Sequence, residues 1–323
     1  MRRVLFLRKK VKGQNSIEEL AYSLLKGIPD LELVTFPEYS NTLKGMYKNI
    51  LFARKYQGNV NHIICPSETY VCLFIRGLKI VTLHDVKTGI AGTNPIWVWL
   101  KKKILRSYAY WFVDKIACIT EFTRKEMIDM YSPISHKTCV IYNSYNPIIK
   151  FEPYKFNEAY PLILHIGTVE RKNLIRVIQA LKGIPCKLHI VGVLNDKTKQ
   201  CLEENHIDFT QEQDVTFSRI VELYRKCDLV SFPTLYEGFG MPIIEAQATG
   251  RPVVTSKVTS IPEIAGNGVC FVDPENIEDM RNGFLKVIKN RDYRNKIVKE
   301  GVINSKRFLP DRMIEGYLNL YGR

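Results

Sequence analysis

Residues 228–256 read DLVSFPTLYEGFGMPIIEAQATGRPVVTS. An apolar run ends at Pro233, Gly238 and Gly240 mark a tight loop, and Pro242 fits the first turn of a helix running to about Thr249. A second apolar run, PVVTS at 252–256, follows at once. Strand, loop, helix and strand in that order form the repeating unit of a parallel sheet covered by helices. The stretch places Glu237 on the loop and Glu245 one turn into the helix. From the residues alone, three readings of these carboxylates stand open: an acid/base pair across a scissile bond, two anchors for a ligand, or the exposed ends of a turn and a helix.

Working outward, the same alternation fills the chain. Downstream of a Pro/Asn-rich passage, YNSYNPIIKFEPYKFNEAYP, the pattern runs LILHIG at 162–167, a helix near 173–182, CKLHIVG at 186–192, a helix near 218–225, and then the stretch above. Upstream, strands are expected near 3–7, 31–36, 61–65, 79–83, 116–119 and 138–141, with helices near 16–27, 42–56, 97–112 and 122–130. Near-continuous apolar strands between helices predict an α/β protein of two doubly wound parallel sheets, each covered on both faces. The boundaries expected are 1–150, 151–305, and a C-terminal helix in 306–323 packing back toward the first domain. Ligands in such sheets bind outside the carboxyl ends of the strands, so the loops after Gly167, Gly192, Pro233 and Ser256 are expected to converge on one crevice.

At 323 residues and 46% apolar content, two domains of roughly 150 residues are expected, and neither a fibrous nor a disordered chain. The N-terminal MRRVLFLRKK is read as a first strand and not as a signal peptide, and no apolar run approaches the roughly 18 residues of a membrane span. The eight cysteines are dispersed with no CxxC pair, which points to core packing in a reducing cytosol. No clustered His/Cys/Asp set and no DxD-type pair after a suitable strand points to a metal. The formal charge of +14 is concentrated in residues 1–150, which hold 23 Lys and Arg against 11 Asp and Glu. Solubility accounts for that excess as well as an anionic membrane, an anionic substrate or nucleic acid does.

The 228–256 run, followed by SIPEIAG at 260–266, resembles the C-terminal nucleotide-sugar site of glycosyltransferase family four. Further upstream, IGTVERKNLIRVIQAL at 166–181 is similar to the family's basic loop and helix, in its RKN variant. TLHDV at 82–86 and ITEFTRKEM at 119–127 resemble segments of its acceptor domain. The resemblance covers most of the chain, with the first 60 residues matching loosely. It implies the GT-B architecture, in which two Rossmann-like domains face a central cleft, and transfer with retention of anomeric configuration.

The resemblance also divides the labour between the two carboxylates. Glu237 then lies beside the donor sugar, and Glu245 accepts hydrogen bonds from the ribose hydroxyls. Close backbone approach at Gly238 and Gly240 lets the N–H groups of Phe239, Gly240 and Met241 meet a phosphate at the positive end of the following helix. Phe239 also reads as a hydrophobic plug for that corner. Arg171 and Lys172, placed after Gly167 at the start of the helix near 173, neutralise the leaving diphosphate. Thr168 stands where the commoner family form has an arginine directly after the glycine.

In the first half the resemblance places His84 near the transfer centre, with Asp85 orienting it or capping a helix. Gly13 is a candidate for acceptor or phosphate binding and Arg124 for an anionic acceptor or the donor phosphate, Arg124 reading equally as a solvent-facing helical residue. The activity implied is transfer from a nucleotide-diphospho-sugar, UDP or GDP left open, to a glycan or lipid-linked glycan hydroxyl in surface polysaccharide assembly, without a cofactor or metal. A GT-B epimerase or phosphorylase and a noncatalytic nucleotide-sugar-binding protein are the competing readings. The partners expected are the donor, the acceptor and an anionic membrane touched peripherally from the cytoplasmic side. No nucleic acid is expected, and the chain is expected to be a monomer or weak homo-oligomer. The membrane contact is expected from IWVWLKKKILRSYAYWF at 96–112 and from KGMYKNILFARK at 44–55; Trp97, Trp99, Trp111 and Phe112 read equally as core.

Overall fold

The computed structural model describes residues 1–10, 16–85 and 108–322. The chain forms two compact units, one of Met1–Asn146 with Pro310–Arg323 and one of Pro147–Leu309.

The first unit is built on six parallel strands, β1 (Arg3–Leu7), β2 (Leu31–Thr35), β3 (Val60–Ile63), β4 (Leu78–Leu83), β5 (Lys115–Cys118) and β6 (Thr138–Val140). They lie in the order β2-β1-β3-β4-β5-β6. All five residues of β1, RVLFL, are buried, because alternate side chains of a central strand enter opposite cores. Val4 and Phe6 join one cluster with Val71 and Val81; Leu5 and Leu7 join the other with Leu24 and Tyr317. Helices α1 (Ser16–Gly27), α2 (Leu43–Tyr56) and α3 (Glu121–Met130) connect these strands. Thr42 caps α2, its side chain accepting from the Gly45 N–H, and Thr120 caps α3 in the same way.

The second unit also has six parallel strands: β7 (Leu162–Ile166), β8 (Lys187–Val191), β9 (Asp208–Glu212), β10 (Leu229–Phe232), β11 (Val253–Ser256) and β12 (Cys270–Val272). Their order is β12-β11-β10-β7-β8-β9. Numbered from the unit's own first strand and read from the β9 edge, this is 3-2-1-4-5-6, the dinucleotide-fold order, and its direction reverses between β7 and β10. The helices are α4 (Leu174–Leu181), α5 (Asp196–Glu204), α6 (Phe217–Lys226), α7 (Met241–Thr249), α8 (Ile261–Ala265), α9 (Ile277–Lys289) and α10 (Arg291–Ser305). Helix α11 (Pro310–Tyr321) belongs to the first unit.

The expected strands of the first half each appear within a residue or two. In the second half β9 and β12 escaped the sequence reading. Both are edge strands: β9 is half exposed and polar, DFTQE, without the apolar run of a central strand, and β12 is only three residues long, CFV. The helix expected near 97–112 lies mostly outside the described residues. Its described end has one helical turn at Ala109–Trp111, and Trp111 and Phe112 are exposed there and do not enter the core.

Candidate functional site

The loops leaving β7 and β10 emerge on either side of the point where the strand order reverses, where a doubly wound sheet leaves a crevice. Three charged side chains meet there. Lys172 Nζ lies 2.7 Å from Glu237 Oε1, and Arg171 Nη1 lies 2.5 Å from the same oxygen. Glu237 is buried, and the Lys172 side chain is 13% exposed.

The backbone explains how the residues arrive. Arg171 and Lys172 lie in the loop after β7, as expected, within a 3-10 turn, Glu170–Lys172, just ahead of α4. Asn173, left-handed at φ 65°, divides that turn from α4, and its amide donates to the carbonyls of Pro233 and Pro274. This tie docks the turn onto the end of β10. Gly167 (φ +96°) leaves room for Lys172: a Cβ there would sit 3.0 Å from the lysine stem. Burial lowers the Lys172 pKa, the Glu237 charge raises it, and the ammonium also lies 4.3 Å from the centre of the Phe232 ring.

Glu237 is fixed from the other side as well. Its carboxylate accepts from Thr234 Oγ1 at 3.2 Å, its N–H donates to Thr259 Oγ1, and its carbonyl accepts from Ser260 Oγ at 2.8 Å. The corner then closes on Gly240, whose φ of +102° disfavours side chains, and α7 starts at Met241 with no side chain capping its first turn. Gly238, expected to share that freedom, has no positive φ. Phe239 is buried with its ring edge-on to Phe308, the plug that the sequence suggested. Uncapped helical N–H groups and two cations near one carboxylate create a site for an anion.

Glu245 is no solvated carboxylate. It is buried on α7, and its Oε2 accepts from the Tyr224 hydroxyl at 2.8 Å. Tyr224 is held by Arg251, 1% exposed, which donates to the backbone carbonyls of Tyr224, Arg225, Thr249 and Glu152. A cation thus satisfies the carbonyls at the ends of α6 and α7. The sequence reading missed both residues. Tyr224 falls on the apolar stripe of an amphipathic helix, and Arg251 carries no signal beyond its place between Gly250 and Pro252.

In the first unit, His84 follows β4 and its Nε2 lies 2.9 Å from the Ile64 carbonyl. Because a carbonyl only accepts, Nε2 carries the proton and Nδ1 is the acceptor side of the ring. Burial holds its pKa down to about 4, so the ring is neutral near pH 7. Asp85, beside it, is half-buried. Arg124 is engaged locally, by Thr138 Oγ1 at 3.1 Å and Glu121 Oε2 at 3.3 Å. Gly13 lies outside the described residues. Among the described residues no three His, Cys, Asp or Glu side chains are grouped to hold a metal ion.

Residues 148–302 match the family model described as Glycosyl transferases group 1. The fold is GT-B, and the residues that match the family model lie within its second unit. An uncharacterized glycosyltransferase of Methanocaldococcus jannaschii is 24% identical over 320 residues, which cover 95% of this chain and 87% of that protein. The O-antigen chain mannosyltransferase B of Escherichia coli is 25% identical over 232 residues, 64% of this chain and 60% of that one. Among solved structures, the Anabaena protein HepE in complex with UDP and glucose superposes with a TM-score of 0.78 at 17% identity, covering 100% of both chains. The Arg171–Lys172–Glu237 cluster and Glu245 both fall within the matched residues.

Proposed function

We propose that the chain is a retaining glycosyltransferase that moves a sugar from a nucleotide-diphospho-sugar to a hydroxyl of a glycan or lipid-linked glycan, at the cytoplasmic face of an anionic membrane. The observation that carries this reading is the pair of cations held on Glu237 beside the uncapped start of α7. The polysaccharide context draws support from the O-antigen chain mannosyltransferase among the relatives.

In this reading Arg171, Lys172 and the N–H groups of Phe239, Gly240 and Met241 receive the diphosphate, and Glu245 receives the ribose hydroxyls. Lys172 is already desolvated and aimed, so little reorganisation remains when negative charge builds on the leaving phosphate. Glu237 holds the two cations together before the donor arrives, and accepts hydrogen bonds from donor-sugar hydroxyls once phosphate takes over part of their charge. The departing phosphate takes the acceptor proton as the new glycosidic bond forms on the face the nucleotide leaves. His84, neutral, presents an acceptor nitrogen to the reacting sugar. Its replacement by alanine is expected to lower turnover more than donor affinity, read by comparing steady-state transfer with donor binding. Gly13, Asp85 and Arg124 are assigned to substrate binding.

A panel of UDP- and GDP-sugars, followed by nucleoside diphosphate release with soluble and lipid-linked acceptors, tests the proposal. Release that depends on acceptor, with the anomeric configuration of the donor kept in the product, is expected. Donor turnover that yields a free epimer, or donor binding with no turnover on any acceptor, would contradict it.

A further inference from the structure

Helix α2 presents two unlike faces. Its inner side buries Gly45, Asn49 and Ala53 and packs Met46, Ile50 and Phe52 on the core of the first unit. Its outer side carries Leu43, Tyr47 and Leu51, which are 62%, 61% and 47% exposed. Their i, i+4, i+8 spacing makes one apolar stripe along the helix. Lys44, Lys48, Arg54 and Lys55 border that stripe, and α2 contains no acidic residue. Glu38, close by, is paired with Lys48 at 2.6 Å and also feels Lys9, at 3.9 Å, and Lys44, so one carboxylate faces several basic residues and a positive excess remains.

We propose that α2 is the element that seats the chain on an anionic lipid surface, lying in the plane of the interface with Leu43, Tyr47 and Leu51 inserted among the headgroups and the basic residues on lipid phosphates. This rests on the reading that the enzyme works at an anionic membrane, and gives that contact a definite place. A helix of 14 residues is about 21 Å long, shorter than the hydrocarbon core of a bilayer, and its charged border keeps it at the surface. A second copy of the chain fits the face poorly, because two-fold pairing would set these basic borders against each other. Nucleic acid would use the lysines and leave the leucines in water. The expected 96–112 segment is not needed for this contact.

Sedimentation of the full chain with vesicles separates the outcomes. Binding to phosphatidylcholine vesicles containing phosphatidylglycerol, weakened by salt and weak on phosphatidylcholine alone, is expected. Leu43→Ser with Leu51→Ser is expected to lower the partition coefficient on the order of tenfold through lost apolar burial. Lys44→Glu with Lys55→Glu should lower it at least as far, since each basic residue near an anionic surface contributes about a fivefold factor. Neither pair should alter donor turnover on a soluble acceptor. Wild-type binding that both double variants retain would overturn the α2 assignment and leave the membrane reading standing. No wild-type binding to anionic vesicles would overturn both. Variants that abolish a self-association of the wild type, with vesicle binding unchanged, would assign the face to a second copy and overturn the proposal.

Discussion

In the proposed donor site, Tyr224 acts through Glu245 without being part of the site's charge. Its hydroxyl donates to Glu245 Oε2, and its backbone carbonyl is fastened by Arg251 Nε at 2.9 Å, so the carboxylate has one orientation set from behind. Tyr224→Phe removes that hydrogen bond and little else. The expected result is a KM for donor raised roughly three- to tenfold, in line with about 1 kcal/mol for a hydrogen bond to a charged group, with kcat nearly unchanged. Steady-state kinetics on the folded variant reads it. Two buried histidines set a different limit. Burial holds His62 and His165 down to about 3, against an ordinary value of 6.5, so the unfolded chain binds protons first as pH falls. Stability is therefore full above about pH 6.5 and lost as pH falls toward 3, on the order of a few kcal/mol for each group. Denaturant midpoints measured across that range check the slope, which His62→Asn should flatten.

At the scale of elements, the chain's last helix completes a core begun by its first strand. Met313, Tyr317 and Tyr321 of α11 lie in the cluster with Leu5, Leu7 and Leu24. The Tyr321 hydroxyl lies 2.7 Å from His62 Nδ1, and Thr82 Oγ1 bridges His62 Nε2 to the Tyr317 hydroxyl. Removing residues 310–323 is expected to strip amide-exchange protection from β1, β3 and β4 while leaving β7, β10 and β11 protected; Tyr321→Phe should destabilise the first unit alone, by about 1–3 kcal/mol, because it leaves a buried ring nitrogen without its partner. Central strands such as LILHI and RVLFL were legible in the sequence, since burial on both faces demands an apolar run. The edge strands β2 and β6 were legible too, but β9, polar and half exposed, and β12, three residues long, were not. The carboxylates and cations of the site were legible only through the resemblance. Their common meeting point was not, since it depends on the left-handed Asn173 tying the β7 turn to the end of β10, a contact across 60 residues. Tyr224 and Arg251 are legible only in three dimensions, where one is a buried donor and the other a buried cation among carbonyls.

The whole molecule divides its charge as it divides its fold. Residues 1–150 hold 23 basic against 11 acidic residues, while 151–323 hold 24 against 22. The excess thus falls on the unit proposed to meet lipid, and the nearly balanced unit is the one in which single charges are placed individually. Among the described residues no helix is long and apolar enough to cross a membrane. In the proposed function, the loops after β7 and β10, with α7, form the site for a nucleotide-diphospho-sugar. Calorimetric titration of the wild-type chain and of folded Lys172→Ala and Glu245→Gln variants with UDP- and GDP-sugars tests it most directly. Saturable binding of one donor by the wild type is expected, weakened at least about tenfold by each substitution through the loss of a charge-assisted contact. Wild-type donor affinity retained by both variants would contradict it.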